Sequence, residues 1–290
     1  MILLFGAGGQ LGLEMVSASR EQGVGLTALA HSQADIADEV AVRQAVEALA
    51  PRLVVNAAAY NDVDAAETQK EAAERANLRG PSVLARICAE RGIPIVHISS
   101  DYVFGGLKEG SYNEDDPLEP LGVYGMSKAQ GEEAVRRLQP RHLILRTAWL
   151  FSVHRRNFLK TMIRLAAERE EIDVVADQRG SPTSAADLAR AILALGPRLT
   201  EDFVSWGTYH FAGQGDASRF EFAERIIGAQ QAFTAHRPVL IPIKAKDFPT
   251  PARRPANSSL DSSRFSAKFG ISARPWQQAV DRTVRALLAP

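Results

Sequence analysis

The sequence has a single cysteine, Cys88, among its 290 residues. One thiol excludes an intrachain disulfide framework and any zinc site built on several thiolates. Net charge is also absent, because 34 Lys and Arg residues balance 34 Asp and Glu residues, and this argues against nucleic acid or an anionic membrane as the partner. No apolar run approaches the roughly 18 residues of a transmembrane helix, and the first residues lack the basic segment of a signal peptide. We therefore expect a soluble, cytoplasmic globular protein of one or two domains.

The first half of the chain alternates short apolar runs with helical patterns. The predicted strands are Met1–Phe5, Gly25–Ala30, Leu53–Val55, Pro94–Ile98 and His142–Arg146. The predicted helices are Gln10–Gln22, Val40–Leu49, Lys70–Arg91 and Val123–Leu138. Continuous apolar strands separated by helices are typical of a parallel sheet that is covered on both faces. The pattern therefore predicts a doubly wound α/β fold.

The second half follows a different rhythm, with helices joined by short strand candidates. The predicted helices are Asn157–Arg169, Ala185–Leu195, Arg219–Ala229 and Trp276–Leu288, and the strand candidates are Tyr209–Phe211 and Val239–Ile241. This change indicates a smaller second α/β domain that is interleaved with the first.

A glycine-rich turn lies between the first predicted strand and the first predicted helix. Gly6, Gly9 and Gly12 give the spacing G-x-x-G-x-x-G, whereas Leu11 stands where G-x-G-x-x-G would need a glycine. Glycine allows a tight turn and a close approach to a pyrophosphate, whose charge is favoured at a helix N-terminus. In this position the turn predicts a dinucleotide site, with Gln10 and Leu11 opening the helix.

The residues after the second strand bear on the choice of dinucleotide. An acid at the end of this strand would accept the 2′-hydroxyl of NAD and repel the phosphate of NADP. The strand ends Ala30-His31-Ser32, with no acid and no arginine. Asp35 could be that acid, or Asp35 and Ile36 could lie beside the adenine. We expect NADPH as the cofactor, with NADH as the second candidate.

The segment Tyr124-Gly125-Met126-Ser127-Lys128 carries the strongest catalytic signal. Tyr124 and Lys128 lie one helical turn apart on the same face. A nearby ammonium lowers the pKa of a phenol, and such a tyrosine can protonate a carbonyl oxygen while hydride reaches the carbon. The preceding strand ends in Ser99-Ser100-Asp101, which places the Ser100 hydroxyl at the edge where it could bind the same carbonyl.

Blocks spread over almost the whole chain resemble a known family. They are Gly6–Gly12, Asn56–Tyr60, Asp62–Glu67, Asn77, Ser99–Phe104, Tyr124–Lys128, Arg146–Trp149, Asn157-Phe158, Asp177-Gln178, Pro182-Thr183 and Arg253–Ser258. In these blocks the chain resembles the dTDP-4-dehydrorhamnose reductases, which belong to the extended short-chain dehydrogenase/reductase superfamily.

The resemblance implies an enzyme that reduces the 4-keto group of dTDP-4-dehydro-β-L-rhamnose to dTDP-L-rhamnose with NADPH or NADH. It implies a catalytic triad of Ser100, Tyr124 and Lys128, although the family usually has threonine at the first of these positions. The implied cofactor residues are Gly6, Gly9, Gln10, Leu11, Gly12, Asp35, Ile36, Ala57, Ala58, Ala59, Tyr60, Asn77, Tyr124 and Lys128. The implied substrate residues are Ser100, Asp101, Tyr102, Trp149, which should pack on the deoxysugar, and Arg254, which should face the diphosphate.

The resemblance also implies a Rossmann-like cofactor domain in residues 1–151, with parts of 172–215 interleaved. Residues 152–290 would mainly bind the substrate. We expect a monomer or homodimer. We expect no metal, because Ala186 replaces the second of two glutamates that hold magnesium in some members of the family, and Glu14 is the first.

Two other functions are compatible with the sequence. The chain could reduce another dTDP-4-keto-6-deoxysugar, or it could be a regulatory subunit that binds NAD(P) without turnover. The intact Ser100, Tyr124 and Lys128 argue against the second.

Overall fold

The computed structural model describes residues 1–199 and 203–289, and a six-stranded parallel sheet forms its centre. In chain order, the strands of these residues are β1 (Ile2–Phe5), β2 (Leu26–Leu29), β3 (Leu53–Asn56), β4 (Ile95–Ser100), β5 (His142–Thr147), β6 (Leu150–Phe151), β7 (Glu171–Val175), β8 (Arg179–Gly180), β9 (Thr183–Ser184), β10 (Gly207–His210), β11 (Ala217–Ser218) and β12 (Val239–Ile243). The central sheet has the order β10-β5-β4-β3-β1-β2. The predicted parallel sheet is confirmed, since every neighbouring pair in it is parallel.

Helices cover both faces of this sheet. The α-helices of the described residues are α1 (Gln10–Gln22), α2 (Glu39–Leu49), α3 (Val63–Ala66), α4 (Lys70–Glu74), α5 (Gly80–Glu90), α6 (Val123–Leu138), α7 (Phe158–Glu168), α8 (Ala185–Leu195), α9 (Arg219–Gln230), α10 (Ser263–Phe269) and α11 (Trp276–Leu288). Met15 of α1 and Ile192 of α8 join one buried apolar cluster with the sheet. Val46 of α2 and Ile87 of α5 join the cluster on the opposite face. The doubly wound α/β architecture is therefore confirmed.

The predicted helix Lys70–Arg91 is interrupted by one wider turn. Residues Arg75–Arg79 form a π-helix between α4 and α5. Pro81 has no N–H to give to the carbonyl of Asn77, four residues earlier, and its ring would clash with that carbonyl. The N–H of Gly80 instead bonds to the Arg75 carbonyl. Proline at this position accounts for the wider turn, which the apolar periodicity did not reveal.

A third apolar cluster lies under the second half of the chain. Phe222 and Ile226 of α9 pack there with Met162 of α7, Val280 of α11 and Ile172 of β7. Three two-stranded sheets, β7 with β12, β6 with β9, and β8 with β11, accompany these helices. Strand β10 pairs with β5 and so belongs to the central sheet. The exact domain boundaries stay a prediction. Among the helices of residues 1–199 and 203–289, none combines the length and the hydropathy that a membrane span requires.

Candidate active site

A cleft of about 340 Å³ opens at the carboxyl ends of the central strands. Strand β1 lies between β2 and β3, so the loops after β1 and β3 leave the sheet at a topological switch point, where α/β folds bind their ligands. The predicted site residues that line the cleft are Gly9, Gln10, Leu11, Ala57, Ala59, Ser100, Asp101, Tyr102, Tyr124, Lys128, Trp149 and Arg254. The fold thus brings the predicted catalytic and substrate residues together with half of the cofactor set.

Two glycines of the turn, Gly6 and Gly12, are packed too tightly for a side chain. Gly6 has φ +91°, and a Cβ there would lie 2.5 Å from the Ala58 nitrogen. A Cβ on Gly12 would lie 2.2 Å from the Gly6 carbonyl oxygen. These two glycines therefore shape the loop from behind, while Gly9, Gln10 and Leu11 present its surface to the cleft.

Asn77 lies behind the cleft, in the π-helical turn. Its Oδ1 accepts from the Tyr60 N–H at 2.9 Å, and its Nδ2 donates to the Tyr60 carbonyl at 3.1 Å and to Ser127 Oγ at 3.0 Å. The amide thus fixes the backbone that follows Ala58 and Ala59. Direct cofactor contacts by Asn77, Tyr60 and Ala58 stay predictions.

Asp35 and Ile36 are both engaged by other parts of the chain. The Asp35 carboxylate accepts from the Arg75 guanidinium at 2.6 Å and from the Ala37 N–H at 2.9 Å. Ile36 is buried, and its side chain fills the space beside Gly80. The π-helical turn thus places Arg75 beside Asp35, although the sequence directly after β2 contains no arginine. Direct cofactor contacts by Asp35 and Ile36 stay predictions.

Tyr124 is buried at the floor of the cleft, with its ring edge-on to Tyr102 at 5.6 Å between centroids. Burial raises the pKa of Tyr124 above its ordinary value, and a hydrogen bond with Ser100 partly offsets this rise. The expected lowering of this pKa by Lys128 is therefore wrong for the structure, because desolvation of the phenolate dominates. Tyr124 is held as a protonated phenol, the form that a proton donor needs.

Lys128 lies one helical turn further along α6 and is also buried. Its ammonium donates to the backbone carbonyl of Ile98 at 2.6 Å. Burial lowers the pKa of Lys128 to about 8, and the nearby Glu132 acts in the opposite direction. Glu132 is itself held by a paired contact with Arg146 of β5, at 2.7 Å and 2.9 Å.

Ser100 ends β4, with its hydroxyl between two neighbours. The hydroxyl donates to Asp101 Oδ1 at 3.0 Å and accepts from the Tyr102 N–H at 3.2 Å. Burial raises the pKa of Asp101 to about 6, against hydrogen bonds from Ser258 and Ser100. A carbonyl bound in the cleft would compete with Asp101 for the Ser100 proton.

Arg254 lies in the Arg253–Ser258 segment and lines the cleft. Its guanidinium donates to Tyr102 Oη at 3.1 Å and to Asp64 Oδ2 at 2.7 Å. Asp62 accepts from the Ala65 N–H and so caps α3. Asp64 was not predicted as a partner of the arginine, since 190 residues separate the two in sequence.

Trp149 stands at the rim with a left-handed backbone (φ +43°), a strained conformation for a bulky residue. One face of its indole is covered by the Arg219 guanidinium, 3.6 Å from the ring centroid. Its contact with a deoxysugar stays a prediction, and it is restricted to the part of the ring that Arg219 leaves uncovered.

Several residues of the cleft were not predicted from the sequence. Arg219, Asn61, Val63, Ile98, Ser99, Thr147, Ala148, Leu150 and Phe158 complete its lining. Outside this lining, Arg155 donates from Nε to the Gly8 carbonyl at 2.6 Å and has φ +55°. Arg219 did leave one signal, because an arginine at the first position of a helix opposes the usual preference for acids there.

Comparison with known proteins gives consistent results. The family model of the RmlD substrate binding domain matches residues 1–289. The chain is 39% identical to a dTDP-4-dehydrorhamnose reductase of Aggregatibacter actinomycetemcomitans, over 98% of each chain.

Two solved structures also match over nearly their full length. A dTDP-4-dehydrorhamnose reductase of Clostridium acetobutylicum superposes with a TM-score of 0.92 at 34% identity, over 99% of each chain. A dTDP-4-dehydrorhamnose reductase of Bacillus anthracis, in complex with NADP, gives a TM-score of 0.91 at 33% identity, over 97% of each chain.

Proposed function

The chain belongs to the dTDP-4-dehydrorhamnose reductase family, and from this premise we propose that it reduces the 4-keto group of dTDP-4-dehydro-β-L-rhamnose to dTDP-L-rhamnose. One observation of the structure carries the proposal. Ser100, Tyr124 and Lys128 line the same cleft as the surface of the glycine turn, so a proton donor faces the place where a dinucleotide would bind. NADPH is the proposed cofactor, and NADH is the second candidate.

The residues of the glycine turn fit a dinucleotide. Gly9 is the N-cap of α1 and offers no side chain to the first N–H groups of the helix. Such donors are suited to a pyrophosphate, and the first turn of α1 contains no acid that would repel it. Ala57 and Ala59 would hold the cofactor from the β3 side. When bound, NADPH supplies the hydride that reaches C4 of the sugar.

The side chains of the cleft would control the proton and the position of the carbonyl. Tyr124 donates its phenolic proton to the 4-oxygen as the carbonyl becomes an alcohol. Ser100 turns its hydroxyl from Asp101 to the same oxygen and fixes its position. The positive charge of Lys128 favours the phenolate that remains after the transfer.

The remaining parts of the proposal concern the whole molecule. Residues 1–151, together with parts of 172–215, hold the cofactor, and residues 152–290 mainly hold the nucleotide sugar. The sheet pairing of β10 with β5 supports this interleaving. We place the enzyme in the cytoplasm, as a monomer or homodimer.

The test is turnover with a labelled cofactor. The purified protein, given a dTDP-4-keto-6-deoxy-L-sugar, should oxidise one NADPH per sugar reduced, and deuteride from labelled cofactor should appear at C4. Product formed without cofactor consumption, or label at another carbon, would contradict the reductase proposal. Tight NADPH binding without turnover on a panel of dTDP- and UDP-4-keto sugars would favour the regulatory alternative.

A further inference from the structure

Arg219 is the first residue of α9, directly after the N-cap Ser218. Its half-buried side chain lines the cleft, and its guanidinium carbon lies over the Trp149 indole, 3.6 Å from the ring centroid. The Phe158 ring is 5.3 Å away. Aromatic rings stabilise a guanidinium but do not neutralise its charge.

The charge of Arg219 is poorly compensated by the protein. Within residues 1–199 and 203–289, no acidic side chain forms an ion pair with it, whereas Arg254 in the same cleft is paired with Asp64. A cation at the N-terminus of a helix also meets the positive end of the helix dipole. Burial and Arg254 both disfavour the charged form, against the attraction of Tyr102 and Asp101.

Each of these unfavourable features would be relieved by an anion in the cleft. The nucleotide sugar of the proposed function carries one in its diphosphate, and guanidinium groups bind phosphates with two parallel hydrogen bonds. Arg254 has one nitrogen on Asp64 and another on Tyr102. Arg219 also has a hydrogen bond with Tyr102 but, unlike Arg254, no carboxylate partner among the described residues, so more of its donors are available for a ligand.

We propose that Arg219 is the main cation for the diphosphate of the nucleotide sugar, with Trp149 as the platform that positions it. This inference rests on the proposed function for the identity of the nucleotide. It assigns Trp149 a different role from the sugar contact predicted from the sequence, because the guanidinium already covers one face of the indole.

The test compares the binding of thymidine, dTMP and dTDP to the NADPH-saturated enzyme by calorimetry. Arg219→Gln should weaken dTDP by about 10- to 100-fold, as expected for a charge-assisted hydrogen bond, and leave thymidine within about twofold. Arg219→Lys should lose less, and Trp149→Phe should weaken dTDP by a smaller factor than Arg219→Gln. Arg225→Gln is the matched control, because Arg225 lies on the same helix and pairs with Asp281 at the surface.

The possible outcomes separate the alternatives. Unchanged dTDP binding in Arg219→Gln, or equal weakening of thymidine and dTDP, would overturn the proposal. A loss seen with a dTDP-sugar but not with dTDP would also overturn it and assign Arg219 to the sugar. Trp149→Phe should, like the Arg219 variants, weaken dTDP binding and leave thymidine binding unchanged. If it weakened only the binding of dTDP-sugars, Trp149 would contact the sugar, as the sequence predicts.

Two further measurements separate this inference from the proposed function. Unaltered NADPH affinity and melting temperature would show that the Arg219 variants are folded. The wild-type enzyme could fail to turn over dTDP-4-keto sugars while the Arg219→Gln variant binds dTDP more weakly than the wild type. In that case the proposed reaction fails and the diphosphate contact stands.

Discussion

The Lys128 ammonium and the Ile98 carbonyl are joined by a hydrogen bond of 2.6 Å. This contact connects α6, which carries Tyr124, to β4, which ends at Ser100. A buried cation therefore helps to hold Tyr124 and Ser100, the two groups proposed to address the sugar oxygen, relative to one another. Its charge state should affect both binding geometry and proton transfer.

We expect kcat to fall as the pH rises through about 8. Burial lowers the pKa of Lys128 to about 8, so the ammonium is present below this pH and is lost above it. The pKa of Tyr124 is raised by burial, and its own ionisation therefore lies outside this range. The measurement is kcat against pH for the wild type and for Lys128→Met, which should be slow and should lack this transition. A wild-type rate that stays flat to about pH 9.5, well past a group titrating near 8, would contradict the assignment.

Tyr124→Phe should lower kcat by about 10²-fold or more, the usual cost of losing a general acid. The substitution keeps the ring that packs edge-on against Tyr102, so folding and NADPH binding should stay near wild type. Steady-state kinetics and a cofactor titration measure the two effects. If the variant kept most of its kcat, another group would have to be the proton donor.

Asp101→Asn should stabilise the protein at neutral pH while it lowers activity. Burial raises the pKa of Asp101 from 3.8 to about 6, so the native state binds more protons than the unfolded state between these values. Stability therefore falls as the pH rises through this window, by about 3 kcal/mol in total. Asparagine keeps the acceptor for Ser100 and carries no charge.

Urea unfolding at two pH values measures this effect. At pH 7 the free energy of unfolding of the asparagine variant should be larger than that of the wild type. The difference between the two should shrink towards zero near pH 4. A variant that is less stable than the wild type at pH 7 would show that the carboxylate is well compensated.

Glu132→Gln should destabilise the protein strongly. Glu132 and Arg146 are both buried and share two hydrogen bonds, and removing one charge leaves the other unpaired in the interior. Such changes cost about 3–5 kcal/mol. The neighbouring Glu133 is exposed, so Glu133→Gln is the matched control and should leave the melting temperature almost unchanged. Similar melting temperatures for the two variants would contradict this view of the ion pair.

Much of the central sheet could be predicted because its signals are local. Apolar runs and helical periodicity gave β1 to β5 and α6 within one or two residues, and the glycine turn predicted the loop that opens α1. Short elements such as α3 and the two-residue strands were not predicted, because they span too few residues for a period to be seen.

In the candidate site as well, local contacts could be predicted from the sequence and contacts between distant segments could not. Tyr124 and Lys128 lie four residues apart on one helix, so their proximity follows from helical geometry alone. The contacts of Arg254 with Asp64 and of Arg219 with Trp149 join distant segments that meet by tertiary packing. Burial raises the pKa of Tyr124, although the sequence predicted a lowered pKa. No local sequence pattern shows how far Tyr124 is removed from water.

Asp35 and Arg75 form an ion pair, with 2.6 Å between the carboxylate and the guanidinium. With Arg75 in place, the Asp35 charge is neutralised and should neither repel a 2′-phosphate strongly nor hold a 2′-hydroxyl tightly. The wild type should therefore prefer NADPH by a modest factor. Arg75→Ala would leave the carboxylate without this partner and should shift the ratio of kcat/KM towards NADH. Arg79→Ala is the control, because Arg79 is exposed in the same π-helical turn.

The ratio of kcat/KM for the two cofactors, measured with one substrate, decides between the two roles of Asp35. A wild-type preference for NADH beyond ~100-fold, which corresponds to about 2.7 kcal/mol, would show that Asp35 binds the ribose even while it is paired. An unchanged ratio in Arg75→Ala would place the pair away from the 2′ position. In that case Asp35 would act through the Ala37 N–H that it accepts, as a residue that shapes the loop beside the adenine.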